Sequence, residues 1–102
     1  MAKIIGKKIK WVASSAVDLV AHNLYLCKDT EALTYDTQHV TVNLPTVEYI
    51  LPGVFSITTE GTFKIGLTAV DDMGNESEMV NIASPFDFIA PSAPSGLQVI
   101  NL

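Results

Sequence analysis

Residues 62–78, T-F-K-I-G-L-T-A-V-D-D-M-G-N-E-S-E, restrict the fold more than any other stretch of the chain. Phe63, Ile65, Leu67 and Ala69 alternate with Lys64, Gly66 and Thr68. Successive side chains of an extended backbone point to opposite faces, so the apolar set falls on one side of a strand. Asp71-Asp72-Met73-Gly74-Asn75 then supplies turn chemistry, with Gly74 free to take positive φ because it has no Cβ. Met79-Val80-Asn81-Ile82 resumes an extended pattern, and the spacing predicts a β-hairpin.

The remainder of the chain is compatible with the same kind of structure. At 102 residues it has room for one sizeable core, and 48% hydrophobic with 17% charged residues describes a foldable globular domain. It contains no uninterrupted apolar run long enough to cross a bilayer and no basic stretch leading into an apolar one at the N-terminus, which points to a soluble chain and leaves its compartment open. Lys3, Lys7, Lys8 and Lys10 give the first ten residues a charge of +4, whereas residues 11–102 carry −9 and arginine is absent. An acidic body without arginine forks is poorly suited to phosphate or base recognition, so nucleic acid is set aside as a partner. The lysines read as charges that keep an exposed edge strand from pairing with others, with attraction to an acidic neighbour as the sharper alternative. Cys27 is the only cysteine, so no disulfide forms within the chain, and it reads as a small apolar strand residue.

From Lys8 onward Ile9, Trp11 and Ala13 fall on one face of a strand and Lys10 and Val12 on the other, which places the tryptophan inward. Residues 14–19 read as a loop and residues 22–28 as the next strand, with Leu24 and Leu26 inward and Tyr25 and Cys27 on the opposite face. Residues 16–26 also fit an amphipathic helix through Val17, Val20, Ala21 and Leu24, but no other segment has a helical period, and the strand is more consistent with the whole. Residues 32–38 suggest a short edge strand. Val40, Val42 and Leu44 form the buried parity of another strand that Pro45 ends, having no ladder donor. Val47, Tyr49 and Leu51 alternate before Pro52-Gly53 turns the chain, and residues 54–57 lead on to Phe63.

The run aromatic, x, aliphatic, x, aliphatic, x, Ala, Val, Asp, x, x, Gly, Asn, x, Ser at positions 63–77 resembles the last two strands of a fibronectin type III domain of bacterial type. That resemblance covers residues 8–82, and it implies an all-β, two-sheet antiparallel sandwich of about seven strands, fibronectin type III or immunoglobulin-like, with Trp11 on the second strand at the core centre. Several positions depart from the family pattern. His22 stands where the third strand often has Tyr, Leu26 stands where it often has Arg, and Phe63 lacks the hydroxyl of a tyrosine corner. Only ten residues precede Trp11, leaving no room for the usual first strand, yet Pro94-Ser95-Gly96-Leu97-Gln98-Val99 looks like one. The chain therefore divides into a domain at 1–89 and a linker plus strand at 90–102. Three explanations compete: an array repeat cut at an offset boundary, a tail folded back on its own sandwich, or strand exchange with another copy. The roughly ten residues before Pro94 reach about 33 Å when extended, enough for folding back but nearly taut. Phe86 and Phe88 alternate within that linker and call for cover, and Ile4-Ile5 offers a short opening strand.

Fold resemblance constrains shape more than activity. Asp71, Asp72, Asn75 and Glu76 crowd the hairpin tip and are the candidate binding residues. With Glu78 they are oxygen-rich, but their spacing lacks the ligand order of a calcium loop, so no metal and no cofactor is assigned. Asn75-Glu76-Ser77 matches an N-glycosylation acceptor. No phosphate loop, nucleophile elbow or paired histidines are present, and the neighbouring Asp71-Asp72 pair points apart on a turn, so catalysis is not expected. The expected function is a non-catalytic spacer or binding module of a larger surface or secreted protein, with a protein or glycan partner met at residues 14–20, 32–38 or 71–76. The alternatives are self-assembly through strand exchange by residues 94–102 and, as the weaker one, a carbohydrate-binding accessory module, which requires an exposed aromatic row that the sequence alone does not build from Tyr25, Tyr35 and Tyr49.

Overall fold

A computed structural model of the protein describes residues 6–51, 53, 55, 62–81, 86, 87 and 91–102. All regular structure in them is extended, with no helix: β1 (Lys7–Lys10), β2 (Leu19–Lys28), β3 (His39–Asn43), β4 (Glu48–Leu51), β5 (Thr62–Asp71), β6 (Val80–Asn81) and β7 (Phe86–Asp87). The strands form two antiparallel sheets. β1 pairs with β4 in the smaller, and the larger has the order β3-β2-β5-β6. β7 also pairs with β5, so β6 and β7 occupy successive parts of one edge with a register offset of two residues.

The alternation in β5 does what its sequence predicts. Phe63 and Ile65 are buried, and they share a core with Leu24 and Leu26 of β2, Leu51 of β4 and Phe55. Ile9, Val40, Tyr49 and Leu67 pack around them, so strands of both sheets contribute to this cluster. The turn after β5 is tight, with Gly74 at φ 84° and its N–H donating to the Asp71 carbonyl at 3.1 Å. Leu24 and Leu26 point inward and Tyr25 and Cys27 outward, as their parity requires, and β2 is a strand, not a helix.

Where the structure departs from the sequence reading, a local hydrogen bond explains it. β1 ends at Lys10 and Ala13 is exposed, not inward, because the chain leaves the small sheet after the Trp11 N–H meets the Val47 carbonyl at 3.1 Å. The Ser14 N–H then donates to His22 Nε2 at 3.3 Å and draws the chain to the large sheet, where β2 already begins at Leu19. Residues 32–38 form no edge strand. The Thr37 N–H donates to the Thr34 carbonyl at 3.1 Å and the Thr34 N–H to Thr37 Oγ1 at 3.0 Å, which closes a turn in place of a ladder. Leu44 is exposed, not buried, since β3 ends at Asn43 in a turn closed by the Thr46 N–H on the Asn43 carbonyl. Residues 91–102 hold no strand and are exposed throughout, so folding back on the same body is not observed. Ile4, Ile5, Phe88 and most of residues 54–57 lie outside the described residues, as does the side chain of Phe86.

The radius of gyration is 18.2 Å and the extents are 71 × 27 × 22 Å, against about 13 Å for a compact chain of this length. Truncating a fully buried core side chain removes both its transfer energy and its packing. Leu24→Ala is expected to lower unfolding free energy by about 3 kcal/mol in urea titrations. Val12→Ala, at a side chain 92% exposed, is expected to change it by less than about 0.5 kcal/mol.

Candidate functional site

The outward parity of the large sheet carries polar residues, and over β2 and β5 it is covered. Asn23 and Tyr25 of β2 stand opposite Thr41 and His39 of β3 on one side and Thr68 and Gly66 of β5 on the other. Over them lie residues 29–38 and the segment after the β5 turn. Leu33 and Met79 fill the space above Gly66, where a Cβ would fall 2.5 Å from Met79 Sδ. Tyr25 is completely buried, and its ring meets Tyr35 edge-on at 6.4 Å and His39 at 5.0 Å. The Tyr35 hydroxyl donates to the Ser77 carbonyl at 2.9 Å, tying the 29–38 loop to the segment beyond the turn.

The Glu76 carboxylate is the centre of this face. Its Oε1 accepts from Asn23 Nδ2 at 3.0 Å, from Thr68 Oγ1 at 2.6 Å and from the Tyr25 hydroxyl. Thr41 Oγ1 donates to Asn23 Oδ1 at 2.6 Å, orienting the amide so that its NH₂ faces the carboxylate. Ser77, next in the chain, holds the segment against β5: its N–H donates to the Ala69 carbonyl and its hydroxyl accepts from the Ala69 N–H, both at 2.9 Å. Desolvation pushes the Glu76 pKa up, but the donors Thr68, Tyr25 and Asn23, with the charge of His39, outweigh it and hold the carboxyl below its ordinary value. Burial and the Glu76 carboxylate raise the Tyr25 phenol. An ionised acceptor facing a phenol that keeps its proton is a strong structural link. Both groups are displaced away from neutrality, the reverse of what proton transfer near pH 7 requires.

The four predicted binding residues do not act as one set. Asp71 caps the turn, accepting from the Met73 and Asn75 N–H groups at 3.0 and 2.8 Å and from Asn75 Nδ2 at 3.1 Å. The bonds from Asn75 are the main reason its carboxyl sits below the ordinary range. Asp72 is exposed, and Glu76 turns away from the tip to the sheet face. Among the described residues no three of His, Cys, Asp and Glu come together as a metal-ligand set. Cys27 is buried beside the Glu31 carbonyl, and burial pushes its thiol up, which keeps it protonated. Of the three tyrosines, Tyr25 is buried and Tyr49 packs edge-on against Phe55 in the core, so they do not line up as an exposed platform.

Asn23, Thr41 and Thr68 were not singled out from sequence. Each sits at a polar parity that ordinarily faces water; the cover supplied from residues 29–38 and 76–79 buries Asn23 and Thr68, while Thr41 stays exposed at the edge. No protein-family model, curated protein or solved structure matches the chain.

His22 lies on the core face, edge-on to Trp11 at 5.7 Å. Because Nε2 accepts from Ser14, the neutral ring carries its proton on Nδ1, and burial lowers its pKa. Both shifts make acid destabilising. The folded His22 resists protonation that the unfolded chain accepts, so stability falls as pH drops below the ordinary 6.5. The contribution of Glu76 is present above its ordinary 4.5 and is lost as pH falls through its lower folded value. Unfolding midpoints measured from pH 8 to 3 are expected to decline in two stages, and Glu76→Gln is expected to flatten the lower one. Glu76→Ala leaves three donors without an acceptor and is expected to cost about 3 kcal/mol at neutral pH.

Proposed function

We propose that the chain is a non-catalytic module of a larger surface or secreted protein, built as a fibronectin type III-like sandwich and acting as a spacer between neighbouring units. The strand pairing carries this reading. If the Trp11 strand is the second strand of such a sandwich, β1 with β4 corresponds to the pairing of second and fifth strands, and β2, β5 and β6 correspond to the third, sixth and seventh lying side by side. Residues 91–102 support the spacer role, since they are exposed along their whole length in a chain whose long axis is 71 Å. The polar work of the face around Glu76 is internal: its donors and acceptor satisfy one another and hold the covering loops in place. A bound partner would meet the loops at 14–20 and 71–75, whose residues are mostly exposed.

A polypeptide carrying residues 1–102 twice in succession tests the spacer role. Small-angle X-ray scattering is expected to show two bodies in file, with the maximum dimension well above that of the single chain. Two bodies packed side by side, or one merged globule, would sink the reading.

A further inference from the structure

We propose that the flank of β1 is a receptor for residues 97–102 of a second copy of this chain, added as a further strand of the small sheet. This deepens the spacer reading and rests on its placing residues 91–102 outside their own body.

The receptor is visible in the hydrogen-bond pattern. β4 is the one strand neighbour of β1 among the described residues. Trp11 and Val47 form a hydrogen-bonded pair, and the antiparallel alternation makes Ile9 with Tyr49 the next such pair. The N–H and C=O groups of Lys8 and Lys10 therefore point away from β4, toward the open edge. Beside that edge lies a groove of about 180 Å³ between the sheets, with Ile9 of β1 and Trp11 just beyond it on one wall, Ile65 and Leu67 of β5 on the other, and Val80 of β6 at the rim. Val80 is 63% exposed, and Trp11 Nε1, buried at the same place, has no hydrogen-bond partner among the described residues. Among the described residues nothing closes the two sheets over their core on this flank.

The occupant is specified by chemistry. In L-Q-V-I-N-L at 97–102, an extended strand puts Leu97 and Val99 on one face, followed by Asn101, and Gln98, Ile100 and Leu102 on the other, so Leu97 and Val99 form an apolar pair on the face turned to the groove. Leu97, Val99, Ile100 and Leu102 are 102, 95, 72 and 123% exposed, the most apolar uncovered stretch of the described chain. Residues 91–102 carry no charged side chain. Charge then selects the pairing. Two β1 edges repel each other through Lys8 and Lys10, and the body carries a net negative charge, whereas a neutral strand meets no opposing charge on either side. Backbone ladder bonds from Lys8 and Lys10 would supply affinity, and Leu97 and Val99 in the groove would supply register.

Sedimentation velocity on the full chain from 1 to 500 µM tests this, with two variants. Leu97→Asp/Val99→Asp spoils the tail, and Val80→Asp spoils the groove at an exposed position. Wild type is expected to associate with rising concentration, and each variant alone to associate at least tenfold more weakly while keeping the wild-type unfolding midpoint at 1 µM. Mixing the two variants is expected to restore a 1:1 complex, since one offers an intact groove and the other an intact tail. A wild type monomeric throughout, variants that associate like wild type, or a mixture that stays monomeric would each overturn the proposal. So would a tail variant whose midpoint drops at 1 µM, because that places the tail on its own groove. None of these outcomes alters the in-file scattering of the doubled chain, so the spacer reading fails or survives separately.

Discussion

The ladder between β2 and β5 holds the molecule together, because both of its faces are covered. From Ala21 to Cys27 every residue of β2 is buried. On one side Leu24 and Leu26 meet Leu67 and Ile65 across the ladder and complete the apolar core with Leu51 and Phe55 from the small-sheet side. On the other, Asn23 and Tyr25 meet Thr68 and Gly66 under a lid of loop residues. An antiparallel sheet can leave one face to water. Here the second face is interior as well, and polar groups in an interior have to be paired. The convergence of three donors on one Glu76 oxygen meets that requirement, and the loops at 29–38 and 76–79 are fixed in place by the groups they cover.

Much of the frame was legible from alternation alone. The parity of residues 63–69, the inward Leu24 and Leu26 and the turn at Gly74 are local properties, set by side-chain period and by φ at a single residue. The face around Glu76 was not legible, because its bonds join residues 51 and 53 positions apart in the chain. Asn23 and Thr68 carry the same local signature whether they face water or a covering loop. The expected edge strand at 32–38 does not form for a related reason: Thr34 and Thr37 have good strand propensity, but Thr37 Oγ1 accepts from the Thr34 N–H and Thr34 Oγ1 from the Asp36 N–H, and these local bonds close a turn first. Glu76 was read as part of an acidic tip because its neighbours in sequence are acidic, although its partners in space are neutral donors.

The two ends of the chain show how charge divides labour among exposed edges. β1 keeps Lys8 and Lys10 on the solvent face, where Lys8 pairs with Glu48 at 3.1 Å, and turns Ile9 inward. With both partners about half exposed, that pair adds little stability. Its weight lies in what the lysines repel. The tail is the complement, rich in apolar side chains and free of charge, so the chain holds a guarded edge and an unguarded strand at once.

Glu76 also reads the alignment of the sheet. A slip of one residue between β2 and its neighbours would send Asn23 and Tyr25 to the apolar side and bring Leu24 beneath the carboxylate. The slipped sheet would keep most of its backbone bonds and much of its greasy area, yet it would strand a negative charge against hydrocarbon. One side chain thereby discriminates among pairings that the ladder itself scarcely tells apart, a proofreading step written into the residue that follows the turn.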